Sequence, residues 1–193
     1  MAFTVSEFKS NISSSGGGAR PALYRISLTA RDTNFSFTPN EALLVKTTAI
    51  PPSTLAPLTV NYAGRAYKWT GLRTFDNWTT TVLNDESFSI RNKLIRWMRE
   101  ISGGMDGLRD GQRGSPLTSS GDGYNDAFAT VSQLGTDGQE KQRYKFYSLW
   151  PTELAEIPVD WSSDMIEEYS VTWAYDYWGH GAPATDNSVI NAS

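Results

Sequence analysis

His180 is the chain's one histidine, and it stands between two glycines. A zinc site or a Ser-His-Asp triad of the usual kind needs more partners than that. An exposed residue without a catalytic role is the expectation. Cysteine is absent, which removes disulfides, thiolate metal sites and thiol nucleophiles. Gly16-Gly17-Gly18 lacks the Lys-Ser/Thr pair and the strand that a phosphate loop requires, so it reads as a linker. Asp85-Glu86 has the composition of an acid–base pair. At a helix start, however, carboxylates are stabilised by the positive end of the helix dipole, and that reading is preferred. Asp106, Asp110, Asp122 and Asp126 miss the spacing of a calcium loop and read as solubilising charges. The expectation is therefore no catalytic residue, no metal and no cofactor.

The elements that carry these residues follow from periodicity. Leu94, Trp97, Met98 and Ile101 recur at helical spacing, and Asn84, Asp85 and Ser87 are candidate caps ahead of a helix over 88–102. Gly103-Gly104 ends it. Arg91, Lys93, Arg96 and Arg99 surround the apolar stripe as a solvated face or a docking face for an acidic partner. Strands are expected over 23–29, 42–50, 73–83, 127–134 and 140–150. Ala63-Gly64-Arg65 joins 58–62 to 66–69 as a hairpin. Residues 157–161 read as a short edge strand. The longest β-like run is 165–178, with Tyr169, Val171, Trp173, Tyr175 and Tyr177 on odd positions. Glu168, Ser170, Thr172, Ala174 and Asp176 occupy the even ones. Three regions look irregular: an arm over 1–19, a surface loop over 103–123 and a tail over 179–193. The core domain is then 20–178, a mainly antiparallel β fold with one helix.

At 193 residues the chain is long enough for one domain with its own core. Its net charge of −4 and pI near 5.0 oppose the basic footprint of a protein that grips phosphates. Seven Trp, nine Tyr and eight Phe favour strands and large interfaces. The first ten residues show no secretory leader, and no apolar run approaches the ~20 residues that span a bilayer. A cytosolic product without membrane contact is expected.

Several blocks follow one another along the chain. They are Ala19-Arg20-Pro21-Ala22-Leu23-Tyr24, then Arg73-Thr74-Phe75-Asp76-Asn77-Trp78-Thr79 with Val82-Leu83-Asn84-Asp85-Glu86. Leu149-Trp150-Pro151-Thr152, Val159-Asp160-Trp161 and Asp176-Tyr177-Trp178 complete the set. In this order they resemble the T-even-like tail tube family of contractile-tailed bacteriophages. The resemblance implies two packed β-sheets, a sandwich or barrel, with a flanking helix. It also implies six-copy rings whose inner sheets join into one barrel, stacked into a tube that conducts genomic DNA. The implied partners are the chain itself, the tail sheath protein, the baseplate and tail terminator proteins, and the tape-measure protein. DNA would pass without specific binding.

Physical considerations agree. A barrel of ~8 strands is filled by its own side chains, so a duplex-wide channel must pool strands from several subunits. A lumen rich in Lys and Arg would hold phosphates, whereas an acidic or neutral one lets them slide. Two candidate linings result: the even face from Glu168 through Ser170 and Thr172 to Asp176, and the face of Thr79 and Thr81. Arg91, Lys93, Arg96 and Arg99 are the candidate sheath-facing set. A competing class is a soluble carbohydrate-binding β-sandwich that uses exposed aromatics; a β-sandwich hydrolase has no carboxylate pair to support it.

Overall fold

The computed structural model describes residues 4–14, 16–30, 33–103 and 127–181. Strand β1 (Tyr24–Ala30) alternates strictly: Ile26, Leu28 and Ala30 point inward, while Arg25, Ser27 and Thr29 face out. It pairs with β6 (Ala127–Leu134), β6 with β7 (Glu140–Tyr147), and β7 with β10 (Tyr177–Gly181). A second antiparallel sheet runs β2 (Val45–Thr48), β5 (Trp78–Leu83), β9 (Glu168–Ala174), β8 (Trp150–Leu154). Strands β3 (Thr54–Tyr62) and β4 (Arg65–Thr74) form a hairpin of their own.

The two four-stranded sheets meet through aromatic rings. Trp78 stacks on Phe146 with centroids 4.5 Å apart. Trp173 lies 6.2 Å from both Trp78 and Trp97. A buried indole nitrogen needs an acceptor. Trp173 Nε1 donates to Thr80 Oγ1 at 2.9 Å, which explains why a threonine is buried there. Trp78 Nε1 donates to Thr48 Oγ1 and the Ala49 carbonyl, both at 3.0 Å.

Helix α3 (Ser89–Ser102) closes one flank, with Ile90, Leu94 and Trp97 buried and Met98 and Ile101 half-buried. None of the three candidate caps occupies the N-cap position, which is Phe88 in the left-handed region with no side-chain cap bond; Asp85 serves the helix start from further back, its Oδ1 accepting from Ser89 N at 2.9 Å, and Ser87 Oγ also donates to it. The Ser87 hydrogen bond, with those from Ser89, holds the Asp85 carboxyl below its ordinary value despite some desolvation. Gly103, at φ 83°, ends the helix.

Other expectations need correction. The run over 165–178 is not one strand. β9 stops at Ala174, and β10 starts at Tyr177 in the other sheet. Gly179 is buried and pairs with Lys145, so the β domain reaches Gly181 rather than ending at 178. His180 therefore sits on a strand. Residues 73–83 are likewise divided, because β4 ends at Thr74 before β5 begins at Trp78. Residues 140–150 divide at Ser148, whose φ of 55° breaks the strand. Residues 157–161 form no strand and lie in an exposed loop. Pro39–Ala42 is helical, α2, started by a Thr38–Glu41 capping box. The amino-terminal arm contains a helix, α1 (Val5–Ser14), that buries none of its residues. Apart from Gly103, the 103–123 loop lies outside the described residues, as do Asp106, Asp110, Asp122, Asp126 and residues 182–193.

Candidate assembly surfaces

The β2–β5–β9–β8 sheet turns its outer face to solvent, and that face is a carpet of short polar side chains. Thr47 pairs with Thr81, Thr81 with Ser170, and Thr79 with Thr172. The two candidate linings are thus one surface. Glu153 joins it opposite Thr172. Glu168 extends it, and Lys46 neutralises that carboxylate at 2.6 Å across the sheet. Asp176 does not belong. It lies between β9 and β10, where its N–H donates to the Tyr147 carbonyl at 3.1 Å. The register explains this exclusion, because the alternation that defines the even face stops with Ala174.

The opposite sheet presents a different outer face. Arg25 and Arg143 flank Ser132 there, with Lys145 beside Thr130. Lys145 Nζ lies 4.1 Å from the Phe128 ring centroid and 4.9 Å from that of Tyr147. Burial, and secondarily Arg143, lowers its pKa. Arg143 is itself held by Glu140, its Nε donating to Oε1 at 2.6 Å and its Nη2 to Oε2 at 2.8 Å, so Arg25 and Lys145 carry the positive excess of this face. One sheet is therefore nearly neutral outside and rich in threonine; the other is more basic and aromatic.

The basic set on α3 divides in two. Lys93 Nζ reaches Glu41 Oε2 at 2.7 Å and the Ser36 carbonyl at 3.2 Å. Burial pulls the Glu41 pKa up, but hydrogen bonds from Lys93 and Thr38 outweigh it and leave it below the ordinary value. Arg91 Nη1 donates to the Ala155 carbonyl at 3.1 Å and lies 4.9 Å over the Tyr169 ring. Burial pushes the Tyr169 hydroxyl up to about 12, against the opposing charge of Arg91. These two cations tie the helix to the body. Arg96 and Arg99 remain exposed, Arg96 with Glu100 at 3.2 Å.

The hairpin is the surface that the sequence reading placed but did not value. A two-residue turn at Ala63 (φ 50°) and Gly64 (φ 75°) joins its strands, as expected of a turn with two positive φ values. Leu58 pairs with Trp69, Val60 with Tyr67 and Tyr62 with Arg65, all on one face. The other face carries Thr59, Lys68 and Asn61. The apolar face is open: Tyr62 is 73% exposed and Trp69 67%. The available signal was alternation on both sides of Ala63-Gly64. Near its base, Gly71 and Leu72 together face Ala56 in a bulge. A Cβ on Gly71 would meet the Ala56 carbonyl oxygen at 2.5 Å, so only glycine fits there.

Among the described residues no group of three or more His, Cys, Asp or Glu is placed to hold a metal. No described helix is long and apolar enough to cross a membrane. Trp78, Trp97 and Trp173 are interior, which removes them from any sugar platform.

Two packed sheets with open edges, one flanking helix and an uncovered apolar hairpin face define a β-sandwich fold with a contiguous exposed apolar patch. The chain belongs to the phage tail tube protein family, whose model matches residues 6–180. It is 31% identical over 166 residues to the tail tube protein gp19 of Enterobacteria phage T4, and equally to that of phage T6. Those alignments cover 85% of this chain and 93% of each relative. The fold resembles a chain of the anti-feeding prophage baseplate, with TM-score 0.62, 9% identity and coverage of 86% and 96%. It also resembles a chain of the sheath–tube complex of an extracellular contractile injection system, with TM-score 0.59, 12% identity and coverage of 94% and 99%. The family expected from the 73–86, 149–152, 159–161 and 176–178 blocks is the one found.

Proposed function

We propose that six copies of this chain close into a ring, and that rings stack into the inner tube of a contractile tail through which genomic DNA leaves. The sheath, baseplate, tail terminator and tape-measure proteins are its partners there, and no enzymatic activity is involved. The observation that carries the reading is the outer face of the β2–β5–β9–β8 sheet. Thr47, Thr79, Thr81, Ser170 and Thr172 give it a short, uncharged relief, and the Lys46–Glu168 pair leaves little net charge beside Glu153. Its cation, Lys46, is already held by Glu168, so such a wall offers phosphates little to hold. Arg25 and Lys145 on the other sheet would hold them, which argues for placing that face outside the channel.

Strands β2 and β8 are the open edges of the threonine-bearing sheet. Joining copies there would continue the sheet around a ring and remove its exposed edges. Arg96 and Arg99 would then lie on the outside, toward the sheath. Electron microscopy of the purified full-length chain tests the reading. Rings or tubes of sixfold symmetry are expected, with the threonine face inward. Single subunits at high concentration, or a lumen lined by Arg25, Arg143 and Lys145, would overturn it.

A further inference from the structure

One side chain of the β1–β6–β7–β10 sheet touches both legs of the hairpin. Trp178 on β10 lies opposite Phe146 on β7, and its ring is half-buried. Its Nε1 donates to the Pro52 carbonyl at 3.2 Å, on the leg that enters β3. Its face carries the Arg73 guanidinium, from the end of β4, with Cζ 4.8 Å from the ring centroid. The same guanidinium lies 5.0 Å from the centroid of Phe75, on the leg that leaves β4. Phe75 in turn meets Tyr175 edge-on at 6.1 Å, and Tyr175 meets the buried Phe146 at 5.0 Å.

The ladder of β3 and β4 runs only between those two strands, so it aligns them with each other and not with the sandwich. Packing does not orient them either, since β3 is exposed along its whole length. The direction of the hairpin must then come from its legs. Pro51-Pro52 narrows the backbone of the first leg, and Trp78 Nε1 holds the Ala49 carbonyl just upstream. An indole N–H on a carbonyl and a guanidinium over an indole face are both directional contacts. The Trp178 ring is itself braced, by Tyr144 edge-on at 6.1 Å and by His180 at 6.1 Å.

We infer that Trp178, Arg73 and the Pro52 carbonyl form a clasp that sets the angle between the hairpin and the sandwich. The open apolar face of the hairpin is thereby aimed in one direction within the single subunit. Trp178 and Arg73 act as positioning residues for that face. The clasp lies within one chain, so it stands apart from the assembly proposed above.

The chain has no cysteine, so two spin labels can be placed without background. Asn61→Cys near the hairpin tip and Ser27→Cys on β1, both exposed, carry them in the unassembled full-length chain. Pulsed dipolar spectroscopy reads the distance between the labels, and a narrow distribution is expected. Arg73→Met, which removes the cation, and Trp178→Phe, which removes the donor, should each widen it. Arg73→Lys keeps a cation and should widen it less than Arg73→Met. A second pair within the sandwich, Ser27→Cys with the exposed Glu153→Cys, should stay narrow throughout. A hairpin pair already broad in the parent chain, or left narrow by either Arg73→Met or Trp178→Phe, would overturn the clasp. Widening of both label pairs together would overturn it too, by showing that the substitutions loosen the sandwich itself.

Discussion

Thr79 and Thr172 stand opposite each other across the β5–β9 ladder and point away from the core. Residues distant in sequence thus make one continuous wall. If that wall lines the channel, Thr79→Lys with Thr172→Lys places two adjacent cations in the path of the phosphates. Genome ejection from assembled virions should slow, and added salt should relieve the delay. Arg25→Glu, on the other sheet, should leave ejection unchanged. Normal ejection through well-formed tubes carrying both lysines would take this face out of the lumen.

Gly71→Ala forces a Cβ against the Ala56 carbonyl. The hairpin packs little against the body, so global unfolding should barely move. Amide exchange over β3 and β4 should accelerate, and tube formation should fall. A variant that assembles as well as wild type would show that the bulge is dispensable.

Trp97 is buried and stacks on Phe35 at 5.5 Å with 8° between ring planes. Trp97→Ala should cost about 3–5 kcal/mol, the range for emptying a large aromatic site. Denaturant unfolding of unassembled chain measures this directly; a loss below about 1 kcal/mol would mean that the site collapses around the gap.

Glu41 links pH to stability. Its folded pKa is lowered, so its contribution is fully present above the unfolded value and fades as pH falls through the folded one. Lys93→Met removes the partner at 2.7 Å. At neutral pH it should cost about 1.5–3 kcal/mol, the usual worth of a hydrogen bond to a charged group. The difference from wild type should shrink in acid. A pH-independent difference would assign the loss to packing instead.

Arg96→Glu with Arg99→Glu should leave folding and tubes intact, because both side chains are exposed and the contact of Arg96 off the helix, over the Phe35 ring at 5.9 Å, is a distant one. Sheath assembly on those tubes should be impaired. Arg91→Ala should instead loosen the helix, since Arg91 holds the Ala155 carbonyl. Tubes that acquire sheath normally despite the double reversal would move the docking face elsewhere.

The legible parts of the sequence were those with a strong local period. Leu94 and Trp97 marked the inner face of α3, and Tyr169, Val171 and Trp173 marked the buried side of β9, because burial follows the helix and strand repeats directly. What failed was punctuation. Nothing in the alternation across 165–178 announces that Tyr175 and Asp176 carry the chain from one sheet to the other. The helical set of four cations read as one face, yet Glu41 and Ala155, far away in sequence, draw Lys93 and Arg91 inward. The candidate linings could not be recognised as one wall because strand partnership is a long-range property.

The hairpin offers its open apolar side at one place on the subunit. A chain of copies in which each hairpin is covered by a different patch of the next copy would be polar, with a free hairpin at one terminus and that patch free at the other. Its two ends would then present different chemistry, so a starter complex and a stop complex could each recognise one end and ignore the other. Growth could begin at a single site and proceed in a single direction.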